Sequence, residues 1–251
     1  MKKNIFITRF SGVCFQLFIL FGAICACPVF VFAGGHGIII AMGDSLTEGC
    51  DVYHGNCGWE RSGNLGYEIE LEPLLKQSFR DYTVTNFGLG GETAKDAIVK
   101  GRLESVINET CNLKAEYILI LEGTNDLFHH SRPVDVKYFL GKMIDKSRSH
   151  GLTPLLATIP PDAEPSHSYK NIPLMNSHIR TLAGEKNVQL VELHNKMAPH
   201  WNEYTPGCYG DLLHPNAAGF KAMGDIWYES LAKIIPRRPP LAWRGLLLKK
   251  H

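Results

Sequence analysis

The residues of this chain best suited to chemistry are one serine and one Asp–His pair far downstream of it. The run Ile38-Ile39-Ile40-Ala41-Met42-Gly43-Asp44-Ser45-Leu46 is an apolar stretch that ends at a serine flanked by turn-forming residues. A serine at the end of a buried strand is held on a rigid edge that a substrate can reach. Its hydroxyl is a weak nucleophile until a base accepts the proton. Histidine suits that task because its ordinary pKa lies near neutrality. A carboxylate then fixes the imidazole tautomer and stabilises its charged form. Asp211-Leu212-Leu213-His214 offers both groups in one loop, which Pro215 closes ahead of a helix. That spacing lets one turn direct both side chains to the same point. The expected relay runs from Ser45 to His214 to Asp211.

Acyl transfer by such a relay also needs donors for a developing oxyanion. Asn86-Phe87-Gly88-Leu89-Gly90-Gly91-Glu92-Thr93 ends one apolar run, and its glycines allow a backbone N–H to approach a substrate closely. Gly123-Thr124-Asn125-Asp126 ends another, and the Asn125 amide can donate. The Ser45 backbone N–H is a third candidate. Each group also has a bland reading. Ser45 can serve as a turn or helix-cap residue, and Asp126 is expected to bond its local backbone. The glycines lack the spacing and the acidic partner of a dinucleotide-binding turn. His129-His130 lacks helical ligand spacing, and no CxxC is present, so no metal site is expected.

Taken in order, these four segments resemble the blocks of the SGNH or GDSL-type hydrolases, a family of esterases and lipases that includes lysophospholipases and thioesterases. Gly43-Asp44-Ser45-Leu46 resembles the first block, Asn86 to Thr93 the second, Gly123 to Asp126 the third, and Asp211 to His214 the last. The resemblance implies a catalytic triad of Ser45, His214 and Asp211. It also implies an oxyanion hole built from Ser45, Gly91 and Asn125. It further implies a flavodoxin-like sandwich that needs no cofactor. The link Cys50–Gly66 is long for such a protein and carries Tyr53, His54, Trp59 and Arg61. Tyr53 and Trp59 are therefore expected to touch the substrate.

The elements that must position these groups read as alternating strands and helices. Strands are expected at Gly37–Met42, Tyr82–Phe87, Ala115–Leu121, Thr153–Ile159 and Val188–Leu193. Their continuous apolar character suits strands covered on both faces, as in a parallel sheet. Amphipathic stretches at Leu65–Phe79, Thr93–Ile107, Val134–His150, Ile172–Glu185 and Asn216–Ile235 are expected to be helices. Repeated strand–helix units predict a doubly wound, three-layer α/β/α sandwich with a parallel sheet of about five strands. Sites in such sheets lie beyond the carboxyl ends of the strands.

Charge divides the chain into three parts. Of 26 basic and 25 acidic residues, three basic residues fall within 1–33 and five within 237–251, where no acid occurs. That leaves 18 basic against 25 acidic residues in 34–236, the expected hydrolase domain. A nucleic-acid partner is not expected of so acidic a body. Lys2 and Lys3 followed by an apolar run from Val13 to Phe32, then Val31-Phe32-Ala33, read as an export signal. An uncleaved anchor that contacts the membrane, or lipidation at Cys27, are the alternatives. The tail 237–251 reads as a frayed basic end. Export permits disulfides among Cys50, Cys57, Cys111 and Cys208, with Cys50–Cys57 the expected pair. The expected partner is a small ester or lipid. Removal of acetyl groups from carbohydrate, and a non-catalytic binding module, are the competing functions.

Overall fold

The computed structural model describes residues 36–50, 65–79, 81–167, 169–207 and 209–237. Tyr53, Trp59 and Cys57 lie outside these residues. So do residues 1–35, Cys208 and the tail from 238 onward.

Five parallel strands form one sheet: β1 (Gly37–Gly43), β2 (Tyr82–Gly88), β3 (Ala115–Leu121), β4 (Thr153–Ala157) and β5 (Gln189–Val191). Their spatial order is β2-β1-β3-β4-β5, and every neighbouring pair is parallel. This is the doubly wound, flavodoxin-like arrangement expected from the sequence. The chain leaves β1 toward one edge and later returns to its other side with β3. Connections therefore diverge at the carboxyl ends of β1 and β3 and leave a crevice there.

Alternate residues of each strand feed two separate cores. Ile39, Ala41, Leu119, Leu121, Leu155 and Val191 face α2 (Tyr67–Ser78) and α10 (Ala217–Leu231), where they meet Leu71, Leu75, Phe220, Met223 and Trp227. The Tyr67 and Trp227 rings stack across that layer at 5.7 Å. Ile40, Met42, Ile118, Ile120 and Leu156 face the opposite layer of α3 (Ala94–Val99), α4 (Arg102–Cys111), α6 (Pro133–Ser149) and α7 (Ile172–Lys186). Burial on both faces explains why the strands read as unbroken apolar runs.

Several boundaries differ from expectation. The segment Thr93–Ile107 is two helices, not one, because the chain turns at Gly101 with φ +72° before α4 begins. Pro133 is itself the first residue of α6, where its missing N–H costs nothing. Short helices α1 (Ser45–Glu48), α5 (Thr124–Phe128), α8 (Leu193–Met197) and α9 (Trp201–Tyr204) have too few turns to show a periodic pattern. Trp201 is buried in the core. Cys50 and Cys111 are both disulfide-bonded. The expected Cys50–Cys57 pairing falls outside the described residues. Among the described residues, no helix is long and apolar enough to cross a membrane.

Candidate active site

Ser45 is the first residue of α1, immediately after β1. Asp44 caps that helix by accepting the Leu46 N–H at 2.9 Å. Asn86 ties α1 to the end of β2. The Asn86 side-chain amide donates to the Thr47 carbonyl at 2.7 Å, and the Asn86 side-chain oxygen accepts the Gly88 N–H at 2.8 Å. At Gly88 the approach is so close that a Cβ would sit 2.0 Å from the Glu48 nitrogen. Only glycine lets the nucleophile-bearing turn and the β2 end share that space.

The opposite wall is the loop before α10. His214 Nε2 lies 2.9 Å from Ser45 Oγ, and His214 Nδ1 lies 2.7 Å from Asp211 Oδ2. The other oxygen, Asp211 Oδ1, accepts the backbone N–H groups of His214 at 2.7 Å and Leu213 at 3.1 Å. Burial alone would raise the Asp211 carboxyl, but these backbone groups and the His214 imidazole hold it below its ordinary value. Leu212, between the two, is pinned on both backbone groups. Its N–H donates to Glu164 Oε1 at 2.6 Å, and its carbonyl accepts from Trp201 Nε1 at 2.9 Å and from the Ala163 N–H at 3.1 Å. The buried Trp201 thus braces the loop instead of lining a cleft. The three residues expected to relay a proton are brought together in one chain of short hydrogen bonds. Such a chain can draw a hydroxyl proton onto the imidazole while the carboxylate balances the new charge.

The segments that carry Gly91 and Asn125, two of the expected oxyanion donors, follow β2 and β3 and are joined by a hydrogen bond. The turn Leu89–Glu92 is closed by the Glu92 N–H on the Leu89 carbonyl at 3.0 Å, with Gly91 at φ +78°. A Cβ at Gly91 would face open space. The neighbouring Gly90 N–H donates to Glu48 Oε2 at 2.9 Å, which ties the turn to α1. Asn125 sits in α5 after β3, and its Nδ2 donates to the Glu92 carbonyl at 2.9 Å. One amide hydrogen of Asn125 remains beyond that bond.

Four carboxyls crowd the same strand ends: Asp44, Glu92, Glu122 and Asp126, all buried. Burial pushes the Asp44 carboxyl up to about 7, with Asp126 and Glu92 adding to the rise and the Leu46 N–H and Lys170 opposing it. Burial, then the charges of Asp44, Glu92 and Asp126, hold Glu122 well above the usual carboxylate range. Glu92 is raised by burial and lowered by Arg102, whose guanidinium lies 3.0 Å from Glu92 Oε2. Arg102 also donates to the Phe87 carbonyl. Asp126 is raised by burial and lowered by the N–H groups at the start of α3, including that of Ala94 at 2.8 Å. Asp126 therefore reaches a separate helix as well as its own turn, a long-range tie that the sequence reading missed. Also missed was Tyr209, whose ring centre lies 4.2 Å from that of His214.

The sequence profile of the GDSL-like Lipase/Acylhydrolase family matches residues 41–222, a span that contains every group described above. The chain belongs to the GDSL-like lipase/acylhydrolase family. Solved structures share its fold. An acetylxylan esterase, Axe2 from Geobacillus stearothermophilus, superposes with a TM-score of 0.62 at 19% identity, over 79% of this chain and 95% of that one. A lipase/acylhydrolase from Enterococcus faecalis superposes with a TM-score of 0.64 at 18% identity, over 80% and 98%. In sequence, the chain is 28% identical over 146 residues to the uncharacterized lipoprotein YqeF of Bacillus subtilis (strain 168), covering 54% of this chain. The match spans about half the length of that relative, 55%. Among the described residues, no group of three or more His, Cys, Asp or Glu side chains is placed to hold a metal ion.

Proposed function

We propose that this GDSL-like protein is an exported serine hydrolase that cleaves carboxylic esters through an acyl-enzyme. Ser45 attacks the ester carbonyl, His214 takes its proton and hands it to the leaving alcohol, and Asp211 holds the imidazole. The Ser45 and Gly91 N–H groups and the Asn125 amide receive the oxyanion. Water then releases the acid by the same relay. The observation that carries this reading is the unbroken Ser45–His214–Asp211 chain at 2.9 and 2.7 Å. The basic-then-apolar N-terminus and a lipoprotein relative support export, by a cleaved signal or by a lipid on Cys27.

Acyl esters of the lysophospholipid or thioester type are the first reading of the substrate. One observation favours a second, the O-acetyl groups of carbohydrate. Tyr209 is 44% exposed and its ring lies 4.2 Å from the imidazole that protonates the leaving alcohol, which puts an aromatic side chain on the leaving-group side, where a sugar would sit. The deciding experiment pairs p-nitrophenyl acetate and octanoate, a lysophospholipid and an acetylated xylooligosaccharide against wild type and Ser45→Ala. Loss of at least ~10³ in turnover in the variant, with labelling of wild-type Ser45 by a fluorophosphonate, is the expected result. Equal turnover by the folded variant refutes the nucleophile, and the chain-length preference of the wild type separates lipid from acetyl substrates.

A further inference from the structure

Glu122 immediately follows β3 with its side chain buried, and neither of its carboxyl oxygens meets an N–H or hydroxyl group. The carboxyl it interacts with most directly is that of Glu92, which is buried beside it and likewise has an oxygen that meets no N–H or hydroxyl hydrogen-bond donor. Two carboxylates cannot bond one another, because each only accepts. One of them must carry a proton. The surrounding charges decide which. Arg102, at the start of α4, pairs with Glu92 and favours its anion. Glu122 faces Asp44 from β1, Glu92 from the glycine turn and Asp126 from α5, all acidic. Further out, Lys170 acts on Asp44, while Asp96 of α3 and Lys100 just after it oppose each other at Glu92. The proton therefore belongs to Glu122, whose O–H donates to the Glu92 carboxylate, with Arg102 completing the row.

Glu92 matters because its backbone holds two of the three proposed oxyanion donors. Its N–H closes the turn that presents Gly91, and its carbonyl orients Asn125. We infer that Glu122 is a positioning residue for the oxyanion hole, acting through a proton it shares with Glu92, and that loss of this proton at alkaline pH loosens the hole. This rests on the hydrolase reading above. Once Glu122 ionises, adjacent buried carboxylates repel one another in a poorly screened site. The Glu92 side chain is displaced, and its backbone no longer fixes the two donors. Substrate binding in the ground state is not touched, so the loss falls on kcat.

The test compares wild type with Glu122→Gln, which keeps a donor to Glu92 and cannot ionise. In wild type, kcat for p-nitrophenyl acetate should fall about tenfold or more from neutral to alkaline pH with little change in KM. In Glu122→Gln, kcat near neutrality should stay within about twofold of wild type and the alkaline fall should disappear. An alkaline fall identical in both proteins overturns the inference. Infrared spectra of protein labelled at glutamate carboxyls give a readout independent of activity. A protonated-carboxyl band at neutral pH in wild type, missing from Glu122→Gln, is expected, and its absence from wild type overturns the inference. Wild type with no Ser45-dependent turnover refutes the hydrolase reading and the positioning role with it, while the infrared band still decides where the proton lies. A fold loss in Glu122→Gln is checked by its melting temperature. Should it not fold, Glu92→Gln, whose neutral side chain removes the shared-proton pair, must shift or abolish the same band and the same alkaline fall.

Discussion

The Asn125 side-chain amide donates to the main-chain carbonyl of Glu92 at 2.9 Å, so the segment after β3 and the turn after β2 form one rigid unit beside Ser45. In the proposed mechanism the asparagine is preset by that bond and need not reorganise when charge develops on a substrate oxygen. Asn125→Ala should therefore lower kcat by about 10²–10³ with a small effect on KM. Steady-state kinetics on a short p-nitrophenyl ester measure both. A change confined to KM would remove Asn125 from the oxyanion hole.

Gly88 and Gly91 make opposite steric demands. A Cβ at Gly88 runs into the Glu48 backbone, whereas one at Gly91 meets nothing but is strained by φ +78°. Gly88→Ala should push α1 away from β2, cost about 1–3 kcal/mol and reduce activity together with stability. Gly91→Ala should cost about 1–2 kcal/mol from backbone strain alone and leave α1 in place. Urea unfolding together with fluorophosphonate labelling rates distinguishes the two, since only Gly88→Ala should slow labelling of Ser45.

Asp44 couples stability to pH. Its carboxyl ordinarily titrates at 3.8, and burial raises it to about 7 in the folded protein. The folded state therefore holds this proton more tightly than the unfolded chain. The associated stability is fully present below about pH 4 and is lost as pH rises through about 7. Asp44→Asn keeps the cap on α1 and cannot ionise, so its stability should decline less over that interval. The wild-type loss from this group is on the order of 4 kcal/mol. Melting temperatures at pH 5 and pH 8 for the two proteins check it, and equal slopes would show that Asp44 does not carry the effect.

Asp211 has the opposite sign. Its carboxyl is held below its ordinary value, so the stability it contributes is present above that value and is lost as pH falls through the folded one. Asp211→Asn should cost about 10⁴ in kcat through the wrong imidazole tautomer. It should also remove part of the acid-side loss of stability. Kinetics at neutral pH and melts between pH 2 and pH 5 test the two halves separately.

Much of this was legible in the linear chain because the physics involved is local. Strand runs covered on both faces are continuously apolar, so all five strands read correctly within a few residues. Asp211 and His214 share one loop, and a three-residue spacing constrains where both can point. Ser45, Gly91 and Asn125 stand at strand ends, which a doubly wound sheet places on one edge. Helices of a single turn, such as α1 and α5, left no periodic trace and had to be seen.

What the tertiary structure decided is the meaning of residues whose partners are distant. Glu92 and Glu122 are 30 positions apart, and nothing in either neighbourhood says that they share an enclosed space without a counter-charge for Glu122. Asp126 looked like a turn residue until its carboxylate met the N–H of Ala94. Nothing around Trp201 in the chain says that its indole N–H holds the Leu212 carbonyl. Residue type and spacing determine which groups can react. Burial and long-range contact determine their charge and their freedom to move, because both depend on atoms brought together only when the sheet and its two helical layers close.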